Sequence, residues 1–245
     1  MLIKNMFANV TTNPDFVGFI TTDQMVLAVD ISDKQNADVD EFAVAYMGFT
    51  DRSSSLNPKE KTNSYYYHGE STTKTGNQRT IEFKADRYKG DPFQDFVTSF
   101  KKKYAKGQDA IVRYAYFNVL TGEGEIGSGS LLLSDDGSGA PEENLSIGGS
   151  IKKAAEEPAE LKFQGLGGYT ALDSEPTDWS NKYTGYFTRS NGVFSAVEGS
   201  SAPEFAKGRY YKKDTAEQAA SQSAAVQTVQ SEQTGQSVQT ETEKK

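Results

Sequence analysis

Alternation of apolar and polar positions dominates the middle of the chain. In Thr80-Ile-Glu-Phe-Lys-Ala-Asp86, Ile81, Phe83 and Ala85 share one face and Thr80, Glu82, Lys84 and Asp86 the other. That period of two predicts a half-buried strand. Asp109-Ala-Ile-Val-Arg-Tyr-Ala-Tyr-Phe-Asn-Val119 is rich in β-branched and aromatic residues, which suits a central strand. Further strands are expected over Glu125–Leu133 and Asn144–Ile151, with Ser134–Pro141 between them as a turn, and one more over Glu41–Thr50. Near the end, Tyr183–Phe194 reads as a hairpin turning at Asn191-Gly192, a type I′ pair.

One segment has helical period instead. Phe93, Phe96, Val97, Phe100 and Tyr104 recur at spacings of three and four and predict one apolar face. Asp91 stands as N-cap and Pro92 at the first helical position. Lys101, Lys102, Lys103 and Lys106 crowd the end, where the helix dipole favours cations, and Gly107 supplies the stop. The helix is expected to lay its aromatic stripe on a sheet and to show a basic end to solvent or to a neighbouring acidic surface.

Three stretches break the pattern. Asp51–Arg79 is Ser, Thr, Asn, Lys and Tyr without a hydrophobic period, too long for an ordinary connection. It is expected as a loop, either mobile or made rigid by a partner, with Leu56, Tyr65, Tyr66, Tyr67 and His68 as its contact residues. Leu161–Tyr211 is rich in aromatics, Trp179 among them, so residues 161–213 read as an extension of the body rather than a linker. Residues 214–245 hold seven Gln and no aromatic residue. Such a tail cannot offset the entropy of ordering and is expected to be disordered or at most a weak helix.

Composition narrows the chemistry. The 245 residues contain no Cys and one His, so thiol chemistry, disulfides and a multi-histidine metal site within one chain are excluded. The net charge is −8; the tail holds five acids and two bases, leaving −5 for residues 1–213. That balance opposes general attraction to nucleic acid or anionic membrane. The first residues carry a lone Lys4 and no long apolar run, so no signal peptide or membrane span is expected.

Candidate sites are few. His68, beside three tyrosines, is a possible base with no nucleophile motif near it. Gly122–Gly129 and Gly165–Gly168 do not match a phosphate loop, because neither follows a strand and opens a helix. Asp135-Asp136 and Glu142-Glu143 flank one turn but lack calcium-loop spacing. None of these rises above turn, strand and surface chemistry. No catalytic residue, metal or cofactor is expected.

The order of pieces resembles a known family. A strand, a long polar segment, Arg79-Thr-Ile-Glu-Phe-Lys-Ala-Asp86, a short helix, Asp109-Ala-Ile-Val-Arg-Tyr, Gly127-Ser-Gly-Ser-Leu-Leu-Leu133 and Leu145-Ser-Ile-Gly-Gly-Ser-Ile151 follow one another. This texture, over roughly residues 1–165, is similar to the tail tube (major tail) proteins of long, non-contractile-tailed bacteriophages. The resemblance implies a β-sandwich over about residues 1–160 with one flanking helix. It implies six-membered rings stacked into a hollow virion tail tube, built in the host cytoplasm, through which double-stranded DNA passes non-specifically on ejection. It implies that Asp51–Arg79 reaches a neighbouring subunit or the adjacent ring. The implied partners are further copies of the chain, the tape measure protein, and the tail tip and tail terminator proteins, with no membrane. The competing reading is a β-sandwich that binds carbohydrate or cell wall, stacking sugars on Tyr65–Tyr67 and Trp179. A carboxylate glycoside hydrolase is a third.

Overall fold

The computed structural model describes residues 1–154, 156–180 and 183–214; the expected disordered tail lies outside them apart from Asp214. The chain divides into two units, Met1–Phe7 with Thr12–Gln164, and Ala8–Thr11 with the chain from Gly165 on.

The first unit is mainly β. Its elements are α1 (Ile3–Met6), β1 (Met25–Val29), β2 (Ala43–Val44), β3 (Phe49–Ser55), β4 (Pro58–Tyr65), β5 (Gly69–Asn77), β6 (Thr80–Asp86), α2 (Pro92–Val97), α3 (Phe100–Lys103), β7 (Ile111–Asn118), β8 (Glu123–Ser138), β9 (Ser146–Lys153) and β10 (Ala159–Lys162). Eight of the strands form one antiparallel sheet in the order β2-β1-β7-β8-β9-β6-β3, with β10 added beside β8. The long strand β8 joins two layers. Residues 124–130 pair with β7, and residues 129–138 pair with β9. Leu27, Val29 and Tyr114 from the first half and Ile81, Phe83 and Ile151 from the second enter one buried cluster. The halves are therefore the layers of a sandwich that remain hydrogen-bonded through β8.

Small residues make room for large side chains on the paired strand. A Cβ at Gly149 would come within 2.9 Å of the Phe83 ring, and one at Gly124 within 2.3 Å of Phe117. The glycines of 122–129 thus serve strand packing and the β7–β8 turn. Gly48, at φ +71°, turns the chain into β3 with a Cβ position 2.5 Å from Asp86 O.

The helical segment differs from its expectation. It is two short helices. Thr98 Oγ1 donates to Gln94 O and Ser99 Oγ to Phe96 O, and Ser99 then caps α3 by accepting from Lys102 N. These local bonds compete with helix continuation and redirect the chain. Phe93 and Val97 are buried and Phe96 is half-buried, but Phe100 is 82% and Tyr104 60% exposed. The five-residue stripe is therefore not one face: Phe100 and Tyr104 leave the core and pack on each other at 5.0 Å. The expected strand over 41–50 is also interrupted, giving β2 and β3 on either side of the Gly48 turn. The strand at 125–133 continues to Ser138, so the expected turn is strand over residues 134–138.

The second unit carries β11 (Tyr169–Ala171), β12 (Tyr186–Ser190), β13 (Val193–Ala196) and β14 (Tyr210–Lys213), ordered β11-β14-β12-β13. The β12–β13 hairpin turns at Asn191 and Gly192, with φ +49° and +78°, as the Asn-Gly pair predicts. Trp179 is the core of this unit, ringed by Tyr186, Phe205 and Tyr210 at 5.2, 5.5 and 4.6 Å. On the opposite face Tyr169 stacks on Phe194 at 3.8 Å.

Candidate interaction surface

The polar segment expected as a loop over Asp51–Arg79 is mostly strand: Asp51–Ser55 belong to β3, and Pro58–Asn77 form a two-stranded ribbon. β4 and β5 pair from Pro58↔Asn77 to Tyr65↔Gly69, with a bulge at Lys59/Glu60. Polar β-formers help to explain it: Thr62, Thr72, Thr73 and Thr75 stand in the two strands, and Thr62 and Thr72 hydrogen-bond across them at 2.9 Å. Thr75 Oγ1 donates to Lys59 O at 3.1 Å. A polar segment without apolar alternation hides this pairing from periodicity, because neither face meets a core.

The ribbon continues β3 and β6, so it is an arm set on the sheet. At its root Asn57, at φ +42°, donates Nδ2–H to Ser55 Oγ and Gln78 O. Gln78 Nε2 donates to Lys153 O at 3.2 Å. Arg79 Nε bonds Glu125 Oε1 at 2.6 Å, and its guanidinium lies over the Tyr116 ring. These contacts fix the root. Beyond it, the eight residues of β4 reach about 27 Å.

Almost every side chain of the arm is exposed. Tyr65, Tyr66 and Tyr67 crown its tip at 54%, 103% and 95% exposure, and Leu56 at the root is 52% exposed. His68 sits in the same turn, exposed, its backbone N–H donating to Tyr65 O at 3.4 Å. The structure thus brings together at one tip Tyr65, Tyr66, Tyr67 and His68, with Leu56 at the opposite end of the ribbon. A two-stranded ribbon with no apolar face is marginal by itself. Among the described residues, β3 pairs with β6 alone, which leaves its outer edge open for another strand. The opposite edge, β2, is two residues long and is met by Leu2 at Ala43.

The basic helix end is matched inside the chain. Lys101 Nζ bonds Asp33 at 2.9 Å, Lys103 pairs with Asp136, and Lys102 Nζ donates to Asp109 O at 2.8 Å. The hydrogen bond from Lys101, then its charge, holds the Asp33 carboxyl below its usual range. Burial and the charge of Lys101 lower Lys102. Lys106 lies outside α3 and precedes the turn at Gly107–Ala110.

The acidic candidates are turn formers. Asp135 accepts from Gly137 N, Ser138 N and Ser138 Oγ, and these bonds, the Ser138 hydroxyl first, lower its pKa. Glu143 accepts from Ala140 N. Trp179 does not stack on a sugar here: it is 2% exposed, and its Nε1–H donates to Pro203 O at 2.9 Å. An indole closed into a core this way corrects its place in the carbohydrate reading.

Two exposed apolar sets were missed from sequence. One is Val17, Phe19 and Ile20, at 96%, 98% and 54%, in a short apolar run between turn residues. The other comprises Tyr46, Met47, Tyr88 and Leu145, each between 38% and 52% exposed. These are scattered in sequence, on stretches whose backbones the fold joins through Arg87 N to Leu145 O and Gln94 to Met47 O and Tyr88 N.

No protein-family model matches the chain, and no curated protein matches it. Solved structures do. One is described as the tail of an empty gene transfer agent particle computed with C6 symmetry; it is 12% identical, covers 56% of this chain and 96% of its own, and has a TM-score of 0.41. A second, the virion of a native gene transfer agent particle, gives 12% identity, the same coverage and a TM-score of 0.37. Both overlays are loose, so the chain's own surface has to carry its function.

Proposed function

We propose that the chain is the structural subunit of a phage-type tail tube. Copies close six-membered rings, and the rings stack into a hollow conduit for DNA in the virion tail. The observation that carries this reading is the arm: a rooted, hydrogen-bonded ribbon with no apolar face and three exposed tip tyrosines. Such an element gains nothing for the monomer and much for an assembly, where its tip is buried by another copy. The open edge of β3 supports the same reading, since a heterologous contact repeated by rotation closes a ring and repeated along an axis makes a tube.

The acidic balance of residues 1–213 suits a lumen from which phosphate is repelled, whereas a basic lumen would hold DNA by counterion release. The tape measure, tail tip and terminator proteins are the remaining partners in this reading, and it assigns the chain no catalytic role. Negative-stain microscopy over a concentration series tests it. Rings or tubes about 10 nm across are expected from six domains of ordinary size. A chain that stays monomeric at every concentration, alone and with adjacent tail proteins, overturns it.

A further inference from the structure

Gly165-Leu166-Gly167-Gly168 fits no phosphate loop, and the fold gives it another use. The second unit takes Ala8–Thr11 from the other end of the chain, although Phe7 and Thr12 on either side belong to the first unit. These four residues lie on the glycine run. Gly167 N–H donates to Val10 O at 2.9 Å. A Cβ at Gly165 would collide with Val10 O, and one at Gly167 would come 2.6 Å from Thr11 Oγ1. Neither glycine has a positive φ, so the space that residues 10 and 11 occupy is what requires glycine at both. Gly165 is buried, while Ala8, Asn9 and Thr11 are exposed.

The glycine run leads straight into the small sheet. Tyr169 N donates to Leu166 O at 3.1 Å and Asp214 N to Gly168 O at 2.8 Å. Next to these bonds β11 pairs with β14, from Tyr169↔Lys213 to Ala171↔Tyr211. β14 in turn brings Tyr210 against Trp179. β11 has three residues and stands at the edge, joined to the sheet through β14 alone among the described residues. So short a strand gains little from its own pairing. We propose that Ala8–Thr11 is a strap that completes the second unit. Seated on Gly165 and Gly167, it holds the start of β11 and, through β14, the Trp179 core; unseated, it lets this edge open. All of residues 12–164 lie between strap and seat. Closing so long a loop costs entropy that only the finished contacts return, which makes seating a late step in folding. The second unit is therefore not a module appended behind residue 164, because it includes residues from the start of the chain. The strap is independent of the tube reading, since each of these contacts lies inside one copy.

Amide hydrogen exchange of the full chain, resolved by NMR over a series of low urea concentrations, tests the strap. The Gly167 amide reports its seating, and the amides of Tyr169–Ala171 and Tyr210–Lys213 report the sheet. All are expected to open together with one urea dependence. A Gly167 amide that exchanges through an opening of its own, well before the strands, overturns the strap. Gly165→Val fills the seat, where the atoms nearest a new Cβ are Val10 O, Val10 C and Thr11 N. It is expected to speed exchange at Gly167 and in both strands by about tenfold or more. It should also lower the urea midpoint of Trp179 fluorescence, while the amides of β7 keep their rates. Acceleration confined to Gly167, or spread equally to β7, overturns the proposal. Should Gly165→Val fail to fold, the exchange series on the wild-type chain decides alone.

Discussion

Replacing Phe93 and Phe100 by alanine, one at a time, separates the core-facing part of the helical segment from the part that leaves the core. Phe93 has no exposed surface and meets Phe49 and Phe83 edge-on at 5.3 and 5.4 Å. Its neighbours come from two strands and cannot follow the shortened side chain, because β3 and β6 are held by their ladder. The lost transfer energy and the cavity together should cost about 3–5 kcal/mol. Phe100 is 82% exposed and touches Tyr104, so its truncation should cost under about 0.5 kcal/mol. Urea unfolding followed by far-UV circular dichroism measures both; fluorescence is unsuitable because the sole tryptophan, Trp179, belongs to the second unit. Equal losses at the two positions would refute the break at Ser99 and restore a single apolar face.

Three further outcomes are expected. Asp30 is fully buried and accepts from Ser32 N, Ala37 N and Arg113 Nη1; Asp30→Ala should cost about 3 kcal/mol and a chemical melt will show it. Gly48→Ala meets both a positive φ and the Asp86 carbonyl, so at least about 1–3 kcal/mol should be lost, read as a lowered Tm. Burial, with the neighbouring Glu125 second, pushes the Tyr114 phenol well above its ordinary pKa. The unfolded chain releases that proton near pH 10 while the fold keeps it, so the stabilisation is complete below pH 10 and falls as pH rises, by up to about 1.4 kcal/mol per unit. Tyr114→Phe should flatten this decline in alkaline unfolding curves; an unchanged slope would remove Tyr114 as its source.

Local pattern alone determined a good deal. Period-two alternation marks β6, the β-branched aromatic run marks β7, and Asn191-Gly192 marks the β12–β13 turn, because each is a property of neighbouring residues. Asp91 with Pro92 fixes where α2 begins for the same reason. The tertiary structure decided what depends on distant partners. Helical spacing placed Phe100 and Tyr104 beside Phe93, but the side-chain bonds of Thr98 and Ser99 turned them away. The β4–β5 ribbon left no periodic trace, since a strand that faces no core has no reason to alternate. Trp179 looked available for stacking until the second unit closed around it. Gln94 is the clearest case: its side chain bonds Met47 O, Asp86 O and Tyr88 N, from stretches far apart in sequence that only antiparallel pairing brings together.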